Sequence, residues 1–124
     1  MARFVSLLHA SLLISDVDRS RVFYENVLGL QANPNRPDLG FPGVWYDIGV
    51  SGQIHLICQP NPDPVTGRPA HGGRDRHTAL AVAGWDEVKA ALDAADLPYT
   101  LSRSGRRALF VRDPDGNALE LVAA

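Results

Sequence analysis

The sequence predicts an α+β fold in which one βαβββ unit occurs twice. Three observations carry that reading. Short apolar runs of strand length recur along the chain, bounded by glycine and proline. Only two stretches have helical spacing, and the order strand, helix, three strands appears once in each half.

The first strand is expected over residues 5–15. Its pleat sets Leu7, His9, Ser11 and Leu13 on one face and the wholly apolar Leu8, Ala10, Leu12 and Ile14 on the other. Ser15 or Asp16 then caps a helix to about Leu28, with Val22, Phe23 and Val27 on one side and Gly29 as its stop. A short strand at 30–32, a breaker-rich loop at 33–43 and strands at 44–49 and 53–59 complete the first unit, about residues 4–59. Residues 60–76 hold four prolines and three glycines, too long a stretch without periodicity to be a simple turn, and read as a linker or lid. The second unit, 77–124, repeats the order: a strand at 77–82, a helix at 86–95, and strands at 99–102, 108–112 and 118–122. Asp113-Pro114-Asp115-Gly116 is turn chemistry and makes the last two strands a hairpin.

At 124 residues with 45% hydrophobic and 21% charged content, the composition is that of one globular domain. A formal charge of −2 offers no footprint for nucleic acid. The single cysteine, Cys58, excludes an internal disulfide and a thiolate zinc cluster, and its reduced state suits a cytoplasmic location. The apolar start, residues 1–8, resembles a signal peptide only superficially, since His9, Asp16 and Asp18 follow at once. It is expected to be a core strand, and no segment is long enough to span a membrane.

One residue breaks the pattern of the last strand. Glu120 stands between Leu119 and Leu121, and a buried carboxylate needs a cation or hydrogen-bond donors. The repeat suggests what meets it. His77 holds in the second unit the place of His9 in the first, and Glu120 holds the place of His55. If the two units pack as pseudo-symmetric halves, His9, His55, His77 and Glu120 converge on one cleft and describe a site for Fe, Ni, Zn, Mn or Co. Three of them, two His and one carboxylate, would already suffice, leaving His55 outside. The bland alternatives are hydrogen-bonded core histidines and an ion pair from Glu120 to Arg112 or Arg103. His71 reads as a solvated loop residue, Arg68, Arg74 and Arg76 as surface charges ahead of an anion clamp, and Trp45 and Phe110 as core aromatics first and pocket walls second.

His9, the run Phe23-Tyr24-Glu25-Asn26-Val27-Leu28-Gly29-Leu30, His77, and Asp113-Pro114-Asp115-Gly116-Asn117 before Glu120 together resemble the vicinal oxygen chelate superfamily, the glyoxalase, bleomycin-resistance and extradiol-dioxygenase group. The resemblance covers essentially the whole chain. It implies paired βαβββ modules forming a cup-shaped mixed sheet, with helices outside, around a divalent metal bound from the first, fourth, fifth and eighth strands. Those positions here are His9, His55, His77 and Glu120. It also implies a small-molecule substrate with adjacent oxygens chelated to the metal, and a homodimer whose cup closes within one chain or between two. The reaction implied is that of a glyoxalase-I-like lyase or isomerase, with an Fe(II) extradiol-type dioxygenase and a non-catalytic antibiotic-type binding protein as alternatives. His55 stands where glyoxalases of this kind have a carboxylate, so Glu120 would be both metal ligand and catalytic base.

Overall fold

The computed structural model describes residues 2–124. Its strands form two four-stranded mixed sheets of the same construction. The first unit contains β1 (His9–Ile14), β2 (Gln31–Ala32), β3 (Gly43–Ile48) and β4 (Gly52–Cys58), in the order β1-β4-β3-β2. The second contains β5 (His77–Val82), β6 (Tyr99–Leu101), β7 (Ala108–Arg112) and β8 (Ala118–Ala123), in the order β5-β8-β7-β6. In each sheet the first strand of the unit lies parallel to its last, and the other pairs are antiparallel. The helix in each unit makes the parallel pairing possible, because a parallel neighbour cannot be reached by a tight turn.

Asp16 caps the first helix by accepting from the Arg19 amide at 2.9 Å. The helix is α over Val17–Arg21 (α1) and continues as a π-helix over Val22–Val27, which spacing alone does not reveal. The wider turn buries the consecutive residues Phe23 and Tyr24 together. Gly29, at φ +78°, then ends the element as expected. The second helix, α2, spans Trp85–Ala94.

One core serves both units. Ile14, Tyr24, Tyr46 and Leu56 from the first pack with Leu92, Leu109, Leu119 and Leu121 from the second. The turn before β8 adds polar ties between the halves. Asp113 is buried there and accepts from the Tyr24 hydroxyl at 2.7 Å and from the amides of Asp115 and Asn117, both at 2.9 Å. Asn117 donates to the Leu13 carbonyl at 2.9 Å, and the Ser15 hydroxyl donates to Asp115 at 2.6 Å. Burial nevertheless pushes the Asp113 carboxyl above its ordinary value, outweighing those bonds. The Asp-Pro-Asp-Gly-Asn run is therefore a brace that sets the end of β1 beside the start of β8.

The expected core strand at residues 1–8 is a correction. Regular pairing begins at His9, opposite Gln53, and among the described residues the only ladder bond upstream is the Gln53 amide to the Leu8 carbonyl. β4 starts at Gly52, so nothing remains for residues 2–7 to pair with. Phe4 is 96% and Leu7 83% exposed, leaving this segment as an apolar arm on the surface.

Candidate functional site

The pleat decides which side chains leave the core. Along β1 and β5, Ala10, Leu12, Ile14, Thr78, Leu80 and Val82 turn inward, while His9, Ser11, His77 and Ala79 are exposed on the opposite face. Glu120 and Phe110 are direct partners across β7 and β8, as Trp45 and His55 are across β3 and β4. The four sequence-derived candidates thus lie on matching faces of the two sheets, as two pairs. His9 is beside His55, and His77 is beside Glu120. Among the described residues no three His, Cys, Asp or Glu side chains gather closely enough to hold one ion.

In the second sheet the pair meets edge to edge. His77 Nε2 is 3.3 Å from Glu120 Oε1, and His77 Nδ1 is 2.8 Å from the Asp75 carbonyl. A carbonyl can only accept, so Nδ1 carries a proton and Nε2 is the nitrogen turned toward the carboxylate. Two acceptors at that distance repel unless a proton or a cation lies between them. Cis ligands on an ion with bonds near 2.1 Å are separated by about 3.0 to 3.4 Å, which the observed gap matches. The backbone bond to the far ring nitrogen is also the support that ligating histidines use. His77 and Glu120 therefore fit a divalent ion.

Glu120 is 5% exposed, and its other oxygen accepts from Arg106 Nη2 at 2.8 Å. The arginine partner is thus Arg106, and not Arg112 or Arg103. Arg112 is drawn instead to Asp75 and to the carbonyls of Gly116 and Pro69. Asp75 also takes two bonds from Arg68, and these hold its carboxyl well below the usual range, so Arg68 and Arg112 pin the linker and are not free surface charges.

The first sheet is arranged differently. Trp45, His55 and His9 form a stack, with ring centroids 4.3 Å and 3.9 Å apart and planes within 7° and 13°. Lone pairs of imidazole lie in the ring plane, so two parallel stacked rings cannot both aim at one ion without tilting. His55 Nε2 is besides engaged with Gln53 Oε1 at 2.8 Å, and Asp47 fixes that amide by accepting from Gln53 Nε2 at 3.1 Å. Desolvation, then the nearby His9 and Arg36, push His55 below its ordinary value. This half does not fit a metal as it stands, except through His9 at its exposed end.

His71 is the second correction. Its ring packs edge-on against Phe110, with centroids 4.8 Å apart, and its Nδ1 is 2.6 Å from the Thr100 hydroxyl. Phe110 meets His77 in the same way from the other side, at 5.1 Å, which makes Phe110 a wall of this half-site and not plain core. Gly72 and Gly73 allow the linker to lie this low, because a Cβ at either would come within 3.2 Å of Phe110. That glycine pair beside a histidine was the available signal. Between the sheets a cavity of about 360 Å³ is lined by Ser11, Leu13, His77, Thr78 and linker residues.

The family model for the Glyoxalase/Bleomycin resistance protein/Dioxygenase superfamily matches residues 6–121. The chain belongs to this superfamily. Among vicinal oxygen chelate relatives it is 31% identical to "Glyoxylase I 4" of Arabidopsis thaliana, over 94% of this chain and 69% of that protein. A glyoxalase family protein from Bacillus anthracis has the same fold, with a TM-score of 0.79 at 22% identity, covering 99% of this chain and 98% of the other. So does TnmS3, an antibiotic binding protein from Streptomyces sp. CB03234, with a TM-score of 0.70 at 16% identity over 99% and 98%.

Proposed function

We propose that this protein is a metal-dependent enzyme acting on a small substrate with adjacent oxygens, most simply a glyoxalase-I-like lyase or isomerase. The observation that carries the reading is the His77–Glu120 pair, with Nε2 and Oε1 held 3.3 Å apart and the histidine fixed from behind through Nδ1. These two residues would hold the ion, joined by His9. His55 enters the proposed ligand set only if the stack opens and frees a nitrogen. A bound divalent ion would act as a Lewis acid toward the oxyanion that develops when a carbonyl substrate loses its α-proton.

Glu120 is the carboxylate available for proton transfer. Its Oε1 faces His77 and its Oε2 accepts from Arg106, in a site otherwise walled by Phe110. A carboxylate so placed can take a proton from the carbon next to a carbonyl and return it to the neighbouring carbon.

Completion of the site by a second copy of the chain is part of this reading. Within one chain the two pairs stay apart, while the faces bearing His9 and His77 and the apolar arm at residues 2–8 are open. A homodimer that sets the first sheet of one copy against the second sheet of another would join them. Size-exclusion chromatography with light scattering tests this, and a monomer at micromolar concentration would count against it.

Two other readings each have a specific observation behind them. With His55 engaged by Gln53, the ligands reduce to His9, His77 and Glu120, the two-His-one-carboxylate set of Fe(II) oxygenases. The Trp45–His55–His9 stack favours a flat ligand, as a non-catalytic binding protein would need. Metal-loaded protein assayed for hemithioacetal isomerisation and for oxygen uptake with catechols separates the three. The lyase reading expects the first activity alone, and absence of both favours the binding protein.

A further inference from the structure

We infer that the ligand of this site carries a carboxylate group, and that Arg106 is the residue that binds it. The inference deepens the proposed site, on which it rests, by naming the class of molecule it takes. Arg106 lies in the loop at 102–107 between β6 and β7, where Gly105 at φ +85° turns the chain. Its guanidinium is held at two points, by Glu120 at 2.8 Å through Nη2 and by the Ser104 hydroxyl at 3.2 Å through Nε. Ser104 is itself bonded to Ser102 at 2.8 Å, so the loop is braced. A guanidinium has five donors in a planar fork, and Nη1 makes no hydrogen bond among the described residues. The side chain remains 59% exposed and reaches Glu120, which stands beside His77. An already oriented fork with unused donors beside a binding site is suited to a planar carboxylate.

The neighbouring arginine shows that this placement is specific. Arg107 points to the other side of the strand, paired with Asp86 at 2.5 Å and lying over the Trp85 ring at 5.0 Å. Charge points the same way. Arg106 and Glu120 cancel one another, so a divalent ion at His77 and Glu120 leaves the half-site positive, and an anionic ligand restores the balance. In the loop before β3, Arg36 has no carboxylate partner among the described residues; its Nη2 donates to the Phe41 carbonyl at 2.9 Å and its buried Nε has no hydrogen-bond partner.

A pair of probes isolates the role of Arg106. 2-Oxoglutarate and 2-oxopentanoate share the same adjacent oxygens and differ in one distal carboxylate. Calorimetric titration of the purified full chain, with its metal content measured on the same sample, should show 2-oxoglutarate binding at least about tenfold tighter. Arg106→Met should erase that preference, Arg106→Lys should keep part of it, and Arg107→Met should leave it intact. Equal affinity of the two probes for the unaltered protein, absence of binding by both, or a preference that survives Arg106→Met would overturn the inference. A preference that vanishes in Arg106→Met while the sample retains no metal would uphold the inference and refute the metal reading instead.

Discussion

The two sheets are built alike and equipped differently. Each has the same strand order, the same parallel pair and a chemically active residue on its first and last strands. In the first sheet His9 and His55 stack with Trp45, and one imidazole nitrogen is tied to Gln53. In the second, His77 and Glu120 meet edge to edge with an arginine behind. The same backbone slots therefore yield an aromatic surface on one side and a histidine–carboxylate edge on the other. Equivalent positions in a repeat fix where a side chain points; the partners beside it decide what it can do.

The contrast can be broken most sharply at Glu120. Glu120→Ala should lower divalent-metal affinity by at least about 100-fold while circular dichroism shows the fold retained, because the residue is proposed as a ligand whose neighbour Arg106 can turn to solvent. Retained metal with loss of the fold would make Glu120 a structural brace. The matching change in the first sheet, His55→Ala, should cost about tenfold or less, since His55 is held in the stack and by Gln53 and is not the main donor. A loss equal to that of Glu120→Ala would put His55 in the ligand shell as a full member.

The scaffold around the two halves should respond in stability and not in metal affinity. Tyr24→Phe leaves buried Asp113 short of a donor and should lower unfolding free energy by about 1 to 3 kcal/mol in urea titration. Unchanged stability would show that the Asp113 turn does not depend on the tie between units.

The smallest expected effect concerns pH. The folded-state value of His55 lies below its ordinary 6.5, so the unfolded chain binds a proton first as pH falls. Its contribution to stability is present above pH 6.5 and is lost as pH drops through the lower folded value. The melting temperature of His55→Gln should accordingly decline less than that of the unaltered protein between about pH 7 and pH 5. Parallel declines would mean that the stack does not oppose protonation.

Much of this arrangement was legible in the sequence. The repeat placed His9, His55, His77 and Glu120 on equivalent strands, and Asp113-Pro114-Asp115-Gly116 marked the β7–β8 turn. What escaped depended on long-range partners. Residues 2–7 have the composition of a core strand but lack a strand to pair with, because β4 begins at Gly52. Arg112 shares a strand face with Phe110 and was a reasonable partner for Glu120, yet Asp75 claims it, and Arg106 reaches in from a loop whose register no pattern reveals. His71 read as solvated because its neighbours are loop residues, whereas two glycines let it settle on Phe110. The π-helical turn at Val22–Val27 has the same apolar spacing as an α-helix and differs only in its bonding.

In the proposed function the His77–Glu120 edge holds a metal ion. Elemental analysis of the purified protein, before and after reconstitution with divalent ions and dialysis, tests it most directly. Close to one ion per chain is expected, reduced to background in Glu120→Ala. A folded, unaltered protein that retains no divalent ion after reconstitution would contradict it.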